Sequence, residues 1–175
     1  GIEASISGYY YTVMRDVFVG TLCAIGIFLM SYRGYERADD IAGNFACFFV
    51  IGAALFPTTP VSDPSQLQRI IGSVHYGFAA AFFLTLAYFF LVLFRKTDPS
   101  RPMTRQKIQR NRVYAICGYL ILLCIGLLAV YGIFLGDTAI AKLDPVFWLE
   151  SIAVIAFGTS WLVKGEALLS DDGEI

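Results

Sequence analysis

Apolar residues come in long unbroken blocks along this chain. They show neither the alternation of a half-buried strand nor the one-sided stripe of a surface helix. Five blocks stand out: Val17–Tyr32, approached through a Tyr-rich lead-in from Tyr11; Ile41–Phe56; Ile70–Phe94; Val113–Leu135; and Val146–Val163. A hydrocarbon core about 30 Å thick takes about 20 helical residues, with about 17–25 tolerated. The third and fourth blocks satisfy this outright, and the first does so with its lead-in. The second and fifth need flanking residues or little tilt. In lipid each segment must satisfy its own backbone hydrogen bonds, which a helix does, whereas barrel strands would read as short alternating segments. The pattern predicts an all-α, polytopic transmembrane helical bundle of about five helices, near 11–32, 41–56, 70–94, 113–135 and 146–163, forming one domain over 1–175.

The junctions support those limits. Asp39 and Asp40 stand where a carboxylate meets the free N–H groups opening the second helix. Phe56-Pro57 closes it. Asp144-Pro145 opens the fifth, with proline where its missing N–H costs nothing. The link Pro57–Arg69 carries three prolines and reads as an extended loop.

Composition agrees with this class. The chain is 57% apolar and 15% charged, against about half and about a quarter in soluble domains. A net charge of -1 hides an asymmetry. Basic residues crowd Arg95–Arg112, while acids dominate the tail from Glu166 to Glu174. Arg33 and Arg37 follow the first helix, the basic cluster follows the third, and Lys164 follows the fifth. The opposite side holds only Arg15, Arg69 and Lys142. Lysine and arginine bias marks the cytoplasmic face, so the expected topology is N-terminus outside and C-terminus in the cytoplasm. An outside N-terminus without an export signal leads to the expectation of a sixth helix before Gly1. The basic loop reads as orientation plus contact with anionic lipid head groups, and nucleic acid is not an expected partner.

Several chemistries lack their motifs. Cys23, Cys47, Cys117 and Cys124 lie inside apolar blocks without paired spacing, and read as small, buried, reduced side chains. A lone histidine excludes an all-His zinc site and a bis-His haem within the chain, so no metal and no cofactor are expected. There is no phosphate-binding glycine loop and no nucleophile elbow. Gly132 and Gly136 stand at G-x-x-x-G spacing, with Gly118 and Gly126 on the same helix, and are expected to serve close packing within the bundle. Tyr9–Tyr11, Tyr32, Tyr35, Trp148 and Trp161 fit an interfacial aromatic belt.

Ionisable groups at membrane depth are costly, and each is a functional candidate by default. Arg15 and Asp16 on the first helix, His75 on the third and Glu150 on the fifth all fall toward the outer side. His75 is placed about 7–8 Å below the start of its helix, from a rise of about 1.5 Å per residue. Tyr11 and Ser73 could border that level, as could Tyr9, Tyr10, Thr58, Thr59, Asp63 and Asp137. Two readings follow. In the functional one, a polar pocket opens to the outside, with His75 as proton shuttle or ligand holder and Glu150 or Asp16 as acid, base or counter-ion. In the structural one, Arg15 pairs with Glu150 or Asp16, and His75 only bonds across helices.

At these residues the chain resembles a group of bacterial polytopic membrane proteins of uncharacterised function. The similarity is carried by Ser5–Tyr11, Arg15-Asp16, Ala54–Thr58, His75 with Phe78–Phe83, and Trp148–Glu150 through Trp161–Gly165. More distantly it is similar to the alkaline ceramidase and adiponectin receptor superfamily, where a Ser and a His help build a zinc site for lipid-amide hydrolysis. Gly72-Ser73-Val74-His75 echoes that motif. The His-x-x-x-His that the superfamily carries near its C-terminus is missing here, so only the bundle and an outer polar pocket carry over. The expected function is binding of a lipid or small polar ligand in that pocket. The rivals are an accessory or scaffold subunit of a larger membrane complex and a degenerate membrane hydrolase acting on lipid amides or esters. The expected partners are membrane lipids, other membrane subunits or a second copy of the chain, and the expected location is the bacterial inner membrane.

Overall fold

The computed structural model describes residues 2–34, 36–97, 103–136 and 138–169, and every regular element among them is helical. Tyr35, Arg101, Asp137 and the acidic residues after 169 lie outside the described residues. The chain is a polytopic bundle of five long helices, four of them long and apolar enough to cross a membrane.

Local capping sets where each helix begins, and this moves several limits away from the apolar blocks. Helix α1 is Arg15–Ser31 and does not reach back to Tyr11. The lead-in forms a separate 3-10 turn, Ser7–Tyr11, which ends at an extended Thr12. The reason is local. Ser5 Oγ takes the Gly8 N–H at 2.9 Å, and Thr12 Oγ1 donates to Tyr9 O at 2.9 Å, bonds that compete with a continuing helix. At 17 residues, α1 sits at the short edge of the spanning range of about 17–25.

Helix α2, Arg37–Leu55, opens at Glu36. Asp39 and Asp40 therefore lie in its first turn, and Asp39 Oδ2 accepts the Glu36 N–H at 3.1 Å. Helix α3, Gln66–Tyr88, begins ahead of its apolar block, because Ser65 and Gln68 cap each other reciprocally at 2.8 and 3.3 Å. It runs on through a π-helical turn, Phe89–Leu93. Helix α4, Arg105–Val130, starts at a Thr104 cap and continues as a π-helical turn, Tyr131–Leu135. Arg105–Arg112 thus ride on the helix instead of filling a loop. A 3-10 turn, Ala139–Leu143, leads to Asp144, whose left-handed backbone (φ 48°) turns the chain into Pro145 at the head of helix α5, Pro145–Lys164.

The helices pack in chain order, α1 on α2, α2 on α3, α3 on α4 and α4 on α5. Their core runs from Leu29 and Val50 through Leu86 and Phe89 to Ile121 and Ala156. Close approach is enforced at Gly43, where a Cβ would lie 2.6 Å from the Leu29 carbonyl oxygen, so α1 and α2 touch backbone to backbone. The glycine expectation changes for α4. Gly118 does face a neighbour, Leu91, but Gly126 and Gly132 face open space.

The aromatic expectation changes too. Trp161 and Tyr32 turn inward. Trp161 meets Phe28, Tyr32 and Phe94 edge-on at centroid distances of 5.0, 5.0 and 5.1 Å. Trp148 is exposed, as a belt residue would be. The cysteines are free, with Cys47, Cys117 and Cys124 buried and Cys23 half-buried. On its inner side α5 reaches α1 and α3 through aromatic rings, Trp161 with Phe28 and Phe157 with Phe82, without close backbone packing. That separation leaves a cavity at one end of the bundle.

Candidate functional site

The free backbone groups at helix ends build this site. The last carbonyls of a helix and its first N–H groups have no partner within the helix. Here two side chains, His75 and Glu150, supply partners. His75 on α3 points Nδ1 at two carbonyl oxygens at the C-terminal end of α2, Ala53 at 2.9 Å and Phe56 at 2.8 Å. Glu150 on α5 takes the N–H groups that open the 3-10 turn, Ile6 at 2.6 Å and Ser7 at 3.4 Å on Oε2. The Phe147 N–H, in the first turn of α5, donates to Ala4 O at 3.1 Å. Ser7 joins the halves. Its Oγ lies 3.0 Å from Glu150 Oε1 and 3.1 Å from His75 Nε2.

The N-terminal segment therefore lies across the end of the bundle as a strap. It is fastened to α5 at Ala4 and Glu150 and to α3 at His75. Beyond the 3-10 turn, the Tyr11 hydroxyl donates to Thr58 O at 2.6 Å. Thr58 Oγ1 in turn donates to Tyr76 Oη at 3.1 Å. Gly72 lets the α2–α3 loop close onto α3, because a Cβ there would meet Thr59 Oγ1 and lie 2.7 Å from the Thr59 backbone nitrogen.

Beneath the strap is a cavity of about 80 Å³ between α1, α2, α3 and α5. Phe18, Leu22, Val50, Phe82 and Phe157 contribute to its apolar walls, and Ser7, His75 and Glu150 stand together as its polar members. His75 and Ser7 are buried, at 2% and 8% exposure. Among the described residues no cluster of three His, Cys, Asp or Glu side chains is arranged to hold a metal ion.

The six residues singled out from sequence divide. His75 and Glu150 come together through Ser7. His75 sits nine residues beyond Gln66, about 14 Å along α3, deeper than the apolar block implied, because the Ser65 cap starts the helix earlier. Tyr11 is in the strap but bonds to Thr58, away from the cluster. Ser73 is exposed and donates to its own helix at Arg69 O, 3.0 Å away. Arg15 and Asp16 are exposed and line an open recess with Tyr10 and Leu55 instead of the cavity. The expected pairing of Arg15 with Glu150 or Asp16 does not form. Arg15 lies 4.4 Å from the Tyr10 ring centroid and donates to the Tyr10 hydroxyl at 2.8 Å.

Sequence reasoning missed Ser7. A serine in a polar lead-in carries no signal of its own, and its partners lie 68 and 143 residues away. The available hint was the placement of Ser5–Tyr11 just ahead of a helix whose neighbours carry His75 and Glu150. Comparison with protein-family models, with curated proteins and with solved structures returned no match.

Proposed function

We propose that this protein binds the apolar chain of a lipid or similar amphiphile in the cavity between α1, α2, α3 and α5, with the polar end of the ligand at Ser7, His75 and Glu150. The cavity carries this reading. Apolar walls reward burial of a hydrocarbon chain, and a single polar rim fixes which end of a molecule stays up. A volume of about 80 Å³ suits the end of a chain and not a whole lipid, so the remainder would lie along the lipid-facing surface of the bundle. The basic end of the bundle, with Arg33, Arg37, Arg95, Lys96 and Arg105–Arg112, supports a cytoplasmic placement of that end. The strap and its cavity then face outside, in the bacterial inner membrane on the resemblance given above.

The test is native mass spectrometry of protein purified in mild detergent. Copurified amphiphile is expected, and Phe82→Trp, which fills the cavity, should remove it while Arg15→Ala retains it. Empty wild-type protein, or equal retention by Phe82→Trp, sinks the proposal.

One observation favours a second reading, a membrane hydrolase. Ser7 Oγ lies 3.1 Å from His75 Nε2, the pairing of a nucleophile with its base. Against it, Nδ1 of the histidine rests on two carbonyls and no carboxylate, and Glu150 occupies the nearby N–H groups. A fluorophosphonate probe should label Ser7 if it is a nucleophile, and no label rejects that reading. A chain that carries neither amphiphile nor label would be left as an accessory subunit with a structural clasp.

A further inference from the structure

The hydrogen-bond inventory around Ser7 does not close without one more proton than an ionised glutamate and a neutral histidine supply. Carbonyl oxygens only accept, so Nδ1 of His75 carries its hydrogen toward Ala53 O and Phe56 O. Two contacts then remain in line, Nε2 to Oγ at 3.1 Å and Oγ to Oε1 at 3.0 Å. Each needs a hydrogen. Ser7 has one hydroxyl proton and can fill one of them. The other must sit on Nε2 or on the Glu150 carboxyl.

We propose that Ser7, His75 and Glu150 form a binding site for a single proton, and that this proton fastens the N-terminal strap across the bundle. The proton has two resting places of equal net charge. Glu150 as the acid donates to Ser7, which donates to a neutral His75. Alternatively His75 as imidazolium donates to Ser7, which donates to the Glu150 carboxylate. A paired shift along Oε1–Oγ–Nε2 interconverts them without moving a heavy atom. When the proton leaves, two lone pairs face each other at one of the two contacts. Ser7 then keeps either α3 or α5, but not both, and the strap loosens over the cavity.

The surrounding elements offer no substitute charge. Toward this end the titratable groups on them are Glu3, Tyr9, Tyr10 and Tyr11 on the strap, Arg15 and Asp16 on α1, and Tyr76 on α3, whose ring stands edge-on to His75 at 5.7 Å. Arg15 is held by Tyr10 and Tyr11 by Thr58. None of them bonds to the three members of the cluster among the described contacts.

The sign of the pH dependence follows. An open strap leaves a Glu150 carboxylate and, above about pH 6.5, the ordinary histidine value, a neutral His75. Closing then takes up one proton, so the ratio of closed to open strap falls by up to about tenfold per pH unit above that point. The chain has a single histidine, so selective ¹⁵N-histidine labelling in lipid nanodiscs reports His75 alone. Amide hydrogen exchange at Ile6 and Ser7 reports the strap.

In the wild type, protection at Ile6 and Ser7 should fall with rising pH between about 6.5 and 9, after the intrinsic exchange rate is divided out. The His75 resonances should move over the same range. Glu150→Gln donates a carboxamide N–H to Ser7 at every pH and should stay protected throughout. Ser7→Ala should show weak protection with no pH slope, and serves if Glu150→Gln folds poorly. A flat wild-type profile, a static His75 signal, or the same slope in Glu150→Gln overturns the proposal.

Discussion

The two ends of the bundle handle buried polarity in different ways. At the strap end, Ser7, His75 and Glu150 form one connected chain whose remaining partners are backbone groups at helix ends, and no lysine or arginine takes part. At the basic end the groups are held in separate contacts. Lys96 meets Glu36 at 2.7 Å, Arg33 meets Asp40 at 3.7 Å, and Arg110 meets Glu166 at 3.5 Å and Leu169 O at 3.2 Å. Lys107 Nζ donates to Phe94 O at 2.9 Å. The difference follows from water. The pairs Arg33–Asp40 and Lys96–Glu36 are at least partly exposed, keep their solvation and contribute little, while Arg110 is the buried exception. Buried groups have no such alternative, so each must find a partner and losing one orphans the rest. Connected hydrogen bonding therefore belongs to the strap end, and separate pairs to the basic end.

That contrast breaks most easily at His75. His75→Ala should orphan the Ala53 and Phe56 carbonyls together with Ser7, a loss of about 3 kcal/mol or more in a reversible unfolding measurement in detergent. A loss no larger than that of an exposed substitution would show that water already serves those groups. Glu150 sharpens the same point. Glu150→Ala is expected to lose about 2 kcal/mol, while Glu150→Gln keeps most of the bonds and should lose under about 1 kcal/mol. Gly72→Ala comes next, at about 1–3 kcal/mol, because the new methyl meets the Thr59 backbone nitrogen as well as its hydroxyl, and the backbone cannot swing aside. It should also raise exchange in the α2–α3 loop.

The basic end supplies the small effects. Arg110→Ala should cost about 1 kcal/mol, since its head is buried but Glu166 is exposed. Lys96→Ala should lower the melting temperature least of all, because the pair is partly exposed. The hydrogen bond that Lys96 donates to Glu36 holds its ammonium above the ordinary lysine value. Its contribution is therefore full below about pH 10.4 and fades as pH rises through the raised value. A melting temperature that falls already between pH 7 and 9 in wild type, and not in Lys96→Ala, would contradict that assignment.

The helices were legible because lipid demands long apolar blocks, and the blocks at Ile70–Phe94 and Val113–Leu135 could mean little else. Their starts were less so. Apolarity does not see the Ser65 and Thr104 caps, so α3 and α4 begin in polar sequence. At Tyr11 the reverse held, with aromatic residues that suit a helix diverted into a 3-10 turn by Ser5 and Thr12. The rare ionisable residues His75 and Glu150 were legible as candidates because burying them in a membrane is costly. Arg15 and Asp16 met the same criterion and stand on another face. In a helix apolar all round, sequence gives the level of a residue but not its bearing.

Composition and block length determined by themselves that this chain is a helical membrane bundle, and its few ionisable residues inside the blocks marked the candidates. Only the tertiary structure decided that His75 and Glu150 meet and that Ser7 joins them. It also decided that a strap closes over an apolar cavity. Helix formation follows from local propensity and the solvent. The meeting of three side chains depends on how helix ends satisfy one another across 68 and 143 residues of chain, and no local pattern encodes that.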